Sequence, residues 1–303
     1  MTSALASTAS PADCLRIYSP APPAGPLHAL NLQLAAAAKD WPTLPPLETV
    51  AIALPESING ITQRAGDRSR HLPIVTTADF RPARLGSGPA WHAYDRPSPD
   101  LKFVATLYDV GFGIQVRPGI GTDPEALRGK RIAAPPRPSA VRLLTEVLLR
   151  DGWDMLGDVE IVDATPQAAL AAFKAGEVDA LSWNLVLPGA AHFAPMLPAD
   201  GEYLPVGESA LARINAANDF TLALAPCLAG APPLLSFAQA LAAWDGTDDA
   251  LITELLACLV ARGPSYPGLP HGVEAMVRWP GLEADEMHPA ALRFYTDRGL
   301  TDA

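Results

Sequence analysis

Apolar positions along the chain alternate between short, nearly continuous runs and longer runs at helical spacing, with Gly and Pro between them. The short runs at Leu15–Tyr18, Thr49–Leu54, His71–Thr76, Lys130–Ala134, Glu160–Asp163 and Val178–Trp183 predict strands. The run LHALNLQLAAAAK after the first strand predicts a helix, and strand, Gly/Pro loop and helix in succession begin an α/β domain. The most legible stretch is Leu127–Trp183, which reads strand, Pro-rich loop, helix, strand, helix, strand. Its first loop, Pro135-Pro136-Arg137-Pro138, cannot continue a ladder because proline lacks the N–H. Ser139 is an N-cap for a helix with Val141, Leu144 and Leu148 on its apolar face and Gly152 as its stop. Thr165-Pro166 opens the next helix and Gly176 ends it.

Elsewhere the pattern is less decisive. PESINGITQRAG predicts a loop entering a short helix that ends near Gly66, and FRPARLGSGPAWHAYDRPSPD a long loop with one helical turn, of the length that often carries function. LKFVATLY and GFGIQVRPG predict two strands joined by Asp109-Val110, a place for the chain to cross from one lobe to another. Leu234–Val260 reads as two helices with a turn at Gly246, and residues 1–13, rich in Ser, Ala and Thr, read as a flexible tail.

Composition narrows the function classes. With 303 residues, 49% hydrophobic and 18% charged, the chain can bury a large core and fill two domains. A net charge of −11 opposes nucleic acid and anionic membrane as partners, while a local basic pocket could still hold a small anion. Cys14, Cys227 and Cys258 are too few and too scattered for a metal knuckle, and their odd number leaves one unpaired. The start, MTSALASTASPADC, lacks the basic residues and apolar run of a secretory signal, which predicts a chain that is not exported. No stretch approaches the ~20 apolar residues of a membrane helix. GxSxG, HExxH and GxxxxGK[ST] are absent, Gly111-Phe112-Gly113 is not a dinucleotide fingerprint, and the six histidines have no metal-ligand spacing. No metal or cofactor is expected.

Candidate ligand contacts come from strand ends and helix starts. Free N–H groups and the positive end of a helix dipole converge on Pro135–Ser139, with Arg137 beside them, an arrangement that welcomes a carboxylate or phosphate. The alternative is a solvated Arg137. Ser19 lies in the first Gly/Pro loop, where a plain connector is the other reading. Thr77 and Asp79 follow a strand's carboxyl end, where open α/β sheets bind ligands. Trp183 and Asn184, read as the end of a strand, suit a pocket, against a purely core role for Trp183. Asp79, His92 and Tyr94 supply acid–base groups for an enzyme acting on a small organic acid.

Several of these stretches, in this order, resemble one family. LRGKRIAAPPRPSAVRLLTEVLLRDG followed by VEIVDATPQAALAAFKAGEVDALSW is similar to the second lobe of type 2 periplasmic binding proteins. ESINGITQRAGDRSRHLPIVTTADF, LGSGPAWHAYDRPSPDLKFVATLY and MHPAALRFYTDRGL resemble the TAXI family of solute-binding subunits of TRAP transporters, with Ala290 where the family has glycine. The resemblance implies a two-lobed α/β fold with two mixed sheets and two hinge crossovers, the second at DFTLALAPCL. Lobe one would hold 14–108 and 221–303, and lobe two 109–220. It implies a monomeric, periplasmic receptor that closes on a small carboxylate and delivers it to TRAP membrane subunits. Ser19, Ser57, Asn59, Thr77, Arg137, Ser139, Trp183 and Asn184 would touch the ligand, whereas His288 and Tyr295 would pack the C-terminal helix. SPAPPAGP replaces the family's glycine-rich first loop, so that wall is expected to be rebuilt. The rival readings are an enzyme on the same fold and a cytoplasmic ligand sensor.

Overall fold

The computed structural model describes residues 14–21, 26–64, 68–187, 201–228, 230–266, 268–279 and 281–301. The expected tail at 1–13 and the expected helix end near Gly66 lie outside them, as does Gly25 of the first loop. Ten strands form one hydrogen-bonded sheet. They are β1 (Leu15–Ser19), β2 (Leu47–Ala51), β3 (His71–Thr76), β4 (Leu101–Val116), β5 (Arg131–Ala134), β6 (Glu160–Asp163), β7 (Ala180–Leu187), β8 (Glu202–Tyr203), β9 (Ala223–Ala225) and β10 (Leu234–Trp244). Their order is β2-β1-β3-β10-β4-β7-β5-β6, with β8 on β4 and β9 on β10.

A parallel group, β2-β1-β3, stands at one end and a second, β7-β5-β6, at the other. Between them β10 and β4 run antiparallel to each other and to their outer neighbours, β3 and β7. The two expected sheets are therefore joined, because β4 is 16 residues long and reaches both ends.

Two sequence expectations need correction. LKFVATLY and GFGIQVRPG are one uninterrupted strand, Asp109-Val110 lying in its middle. The long partner of β4 is not DFTLALAPCL, which contributes only β9, but Leu234–Trp244, read from sequence as helix. All but one residue of that strand is buried. A strand covered on both faces shows no alternation of apolar and polar positions, so its pattern cannot be told from a buried helix.

The helices are α1 (Pro26–Ala38), α2 (Glu56–Gln63), α3 (Phe80–Leu85), α4 (Ala140–Val147), α5 (Pro166–Ala175), α6 (Glu208–Asn218), α7 (Asp249–Arg262), α8 (Val273–Met276) and α9 (Pro289–Thr296). Local chemistry explains several ends. The Thr165 hydroxyl accepts from the Ala168 N–H at the start of α5, and Gly176, at φ 76°, closes it. α4 continues through one π turn, Leu148–Gly152, to the predicted stop. At the C-terminus the His288 ring accepts from the Ala290 N–H, and the Tyr295 hydroxyl donates to the Val104 carbonyl, docking α9 over β4 as the sequence suggested. Phe80, Phe103 and Trp279 meet edge to face beneath, and each such buried aromatic contributes on the order of 1.5–3 kcal/mol.

Candidate functional site

Ser19 ends β1, Thr76 ends β3, and Ser57 lies in the first turn of α2, just beyond β2. Three parallel strands thus deliver polar side chains at their carboxyl ends, where helix N-termini and loops leave backbone groups free. A belt of hydrogen bonds, continued by one cross-strand register, runs from Ser19 to Thr76. Ser19 is wholly buried, and its hydroxyl accepts from the Asn31 amide at 2.9 Å and lies 3.0 Å from His28 Nδ1. The Tyr108 hydroxyl of β4 donates to Asn31 Oδ1 at 2.7 Å, and burial drives its pKa well above the ordinary phenol value. Tyr108, Gln239 and Thr76 are direct partners across β4, β10 and β3, so their side chains share one face.

From Thr76 the belt turns to Asp79, which is fully buried. Its carboxylate accepts from the Thr76 hydroxyl at 2.5 Å, the Tyr94 hydroxyl at 2.8 Å and His92 Nε2 at 2.7 Å. Burial alone would raise the Asp79 pKa, but the His92 charge and these hydrogen bonds hold it below the usual carboxylate value. Asn59 fastens the same loop to α2, donating to the Ala93 carbonyl and accepting from the Asp95 N–H. Thr77 fixes β10 alongside: its hydroxyl accepts from the Ala238 N–H, and its carbonyl accepts from both the N–H and the hydroxyl of Thr221.

Three buried polar atoms of this region have no hydrogen-bond partner among the described residues: Ser57 Oγ, His92 Nδ1 and Gln239 Oε1. Each costs about 1–3 kcal/mol left unpaired. His92 is hydrogen-bonded to Asp79 and Gln239 is the cross-strand partner of Thr76, while Ser57 lies in α2 two residues before Asn59. Thr49 Oγ1, Tyr203 Oη and His288 Nε2 also lack partners among the described residues, so it is the position of the first three near the carboxyl ends of the parallel strands that sets them apart.

The second group of expected residues is arranged differently. Arg137 directs Nε and Nη2 to Glu146, at 2.7–3.0 Å, and its guanidinium carbon sits 4.7 Å over the Trp91 ring. Glu146 is 5% exposed and also accepts from Arg142 at 2.6 Å. The fork that could have gripped an anion is engaged within the protein, and Arg137 instead ties the β5–α4 loop to the loop before β4. Ser139 stands at the N-cap of α4 with no side-chain hydrogen bond to the helix. Trp183 and Asn184 are not at a strand end, because β7 runs on to Leu187. Trp183 packs with Leu185, Tyr203, Cys227 and Leu234, and Asn184 is half-buried opposite Phe112. Burial raises the Cys227 pKa to about 11, so its thiol stays protonated.

Other cations near the belt are also committed. Arg81 pairs with Glu286, Arg278 with Asp109, and Arg84 donates to the Pro99 and Leu101 carbonyls. Asp79, His92 and Tyr94, the set considered for catalysis, do come together, as an oriented imidazole whose outer nitrogen touches no nucleophile among the described residues. A surface depression of about 370 Å³, lined by Arg117, Pro118, Phe173, Lys174, Ala175 and Gly176, contains none of the belt. It lies at the C-terminus of α5, with the cations Arg117 and Lys174 at the negative end of the helix dipole, and shares no residue with the belt. Sequence reading missed Asn31, Tyr108 and Gln239, which carry no motif, and placed Trp91 only within a loop. The packing of α1 brings Asn31 to Ser19, and the sheet register brings Tyr108 and Gln239 to Thr76.

No family model matches the chain, and no curated protein sequence matches it. Solved structures of similar fold do exist. The periplasmic binding protein BugD aligns with a TM-score of 0.55 at 13% identity, covering 95% of this chain and 94% of that one. Rpa4515 of R. palustris, solved with adipate, gives 0.54 at 16% identity with 83% of each chain covered. MatC from Rhodopseudomonas palustris, solved with malate, gives 0.51 at 17% identity, covering 82% of this chain and 84% of that one. At such identities the likeness carries the fold, which is the two-lobed α/β architecture of periplasmic binding proteins.

Proposed function

We propose that this protein is a solute-binding protein that closes two lobes on a small carboxylic acid and hands it to a membrane importer. The observation carrying this reading is the belt at the carboxyl ends of β1, β2 and β3, with Ser57, His92 and Gln239 holding buried, unpartnered polar atoms. Lobe one is assigned to 14–108 and 221–303 and lobe two to 109–220; β4 carries the first crossover at Asp109, and β10 runs beside it across that boundary. Movement about two such strands is a common route to closure. The contact of Arg137 with Trp91 joins the two lobes so defined.

The acid class is suggested by the adipate and malate held by the similar structures. Such a receptor acts in the periplasm. The TRAP membrane pair expected from the sequence resemblance is one importer it could serve, and the similar fold of a TctC solute-binding protein from Polaromonas, at a TM-score of 0.50, points to a second three-component class. Thermal unfolding against a panel of C4–C6 mono- and dicarboxylates tests the reading. A binding acid at a hundredfold excess over its Kd stabilises the folded state by about 2.7 kcal/mol and is recovered unchanged. No shift with any acid, or consumption of the acid, refutes it.

A further inference from the structure

On the two-lobe assignment proposed above, Trp91 belongs to lobe one and Arg137 to lobe two, and the guanidinium carbon lies 4.7 Å from the ring centroid. Each partner is fixed from its own side. Trp91 stands in the helical turn Ala90–His92, packs on the main core and meets the His92 ring edge to face at 5.6 Å, and His92 is hydrogen-bonded to the buried Asp79. Arg137 gives Nε and Nη2 to Glu146, which also accepts from Arg142, and Arg142 reaches Asp163 at the end of β6. The guanidinium is thus already held where it meets the indole, so little side-chain freedom is lost when the contact forms. Asp109 and Arg278 meet across the same boundary, but at the crossover of β4, whereas Trp91 and Arg137 lie on loops beyond the strands that would bend.

Charge balance decides what such a contact can do. Were the partner of Arg137 a buried carboxylate in lobe one, parting the lobes would strand a charge, and the pair would resist opening. Here the carboxylate is on the arginine's own side. Glu146 keeps Arg137 and Arg142 when the lobes part, and Trp91 carries no charge. What this pair loses on parting is a cation–π contact and no ion pair, with the Arg137 side chain already 49% exposed. We infer that Arg137 and Trp91 form a reversible latch, which biases the free protein toward joined lobes and releases them without leaving a charge unpaired. A part-exposed cation–π pair shifts such an equilibrium by about two- to fivefold, enough to favour the joined state and too little to lock it. Its lobe-one half is the residue beside His92, so the hydrogen bond from His92 to Asp79 ties the latch to the candidate site.

Double electron–electron resonance on the full chain without ligand reads this directly. Spin labels go on Leu85→Cys at the end of α3 and Gln167→Cys at the start of α5, both exposed, in a Cys14→Ser background, Cys227 and Cys258 being buried. The expected result is two distance populations, whose ratio moves about two- to fivefold toward the longer one in Trp91→Leu and in Arg137→Gln. Glu146 retains Arg142 in the latter. Either change breaks the same pair, so the double variant should open no further than the single ones. Two populations whose ratio neither variant moves, or shifts that add in the double variant, overturn the latch and leave lobe closure standing. A single narrow distance in all four proteins overturns the latch together with lobe movement. No ligand enters the measurement, so the carboxylate reading is decided separately by the thermal panel. Should one single variant fail to fold, the other decides.

Discussion

Gly111 and Gly113 of β4 show how little room the central strand leaves. A Cβ on Gly111 would stand 2.5 Å from Cys227 Sγ, and one on Gly113 would stand 2.9 Å from Leu234 and 3.1 Å from Tyr203. From sequence the pair was only a failed nucleotide motif, whereas its role is to let β9, β10 and β8 close over β4. Gly111→Ala is therefore expected to destabilise the protein by about 1–3 kcal/mol, through overpacking. The double variant Gly111→Ala/Cys227→Ala should recover part of that loss, because the clash is with the sulfur, and urea midpoints of both variants check the coupling. At the same scale, Arg137 illustrates what sequence could not decide. The helix start at Ser139 and the adjacent cation were legible, but Glu146 lies two turns along α4 and faces back onto the guanidinium only once the helix forms.

Elements were best read where local chemistry dominates. The α5 segment carries Thr, Pro and Gly at the positions that start and stop a helix, and all three act as expected. Thr165→Ala removes a hydrogen-bond acceptor for the Ala168 N–H at an exposed site, so a loss of about 1 kcal/mol is expected in the urea midpoint, with no change in ligand-induced stabilisation. β10 is the opposite case. Its apolar run Leu234–Trp244 carries no period, and only pairing with β3 and β4 makes it a strand. Misreading it hid Gln239, and with it the cross-strand step between Thr76 and Tyr108.

Over the whole molecule, four buried or half-buried groups among the described residues share one sign of pH dependence below neutrality, opposed there only by Asp109, whose pKa burial raises. His288 is held below its ordinary 6.5, first by burial, so the folded state resists its protonation. Asp79, Asp151 and Glu286 lie below their ordinary 3.8, 3.8 and 4.5. Burial pushes these three upward, but hydrogen bonds and neighbouring charges outweigh it: His92, Thr76 and Tyr94 for Asp79, Arg150 and Asn218 for Asp151, and Arg81 for Glu286. A depressed folded-state pKa contributes stability above the unfolded value that is lost as pH falls through the folded one. Stability should thus be flat above neutrality, decline below about pH 6.5 as His288 is charged in the unfolded chain, and decline again below about pH 4.5. Chemical denaturation from pH 8 to pH 3 checks the profile, and a maximum in the acid range would contradict it. His288→Gln should remove the first step and leave the second.

By itself the amino-acid sequence determined the α/β class, most strand and helix positions, the placing of Ser19 and Thr77 at the carboxyl ends of parallel strands, and the packing role of the C-terminal helix. These follow from periodicity, caps and the rule that parallel strands end at ligands, all of which act over a few residues. Only the tertiary structure decided that β4 and β10 join the two parallel groups, that Arg137 is neutralised by Glu146 and covers Trp91, and that Asp79 turns His92 so one nitrogen is left unpaired. Each depends on cross-strand register or on burial, which bring together residues far apart in the chain and leave no local trace in their order.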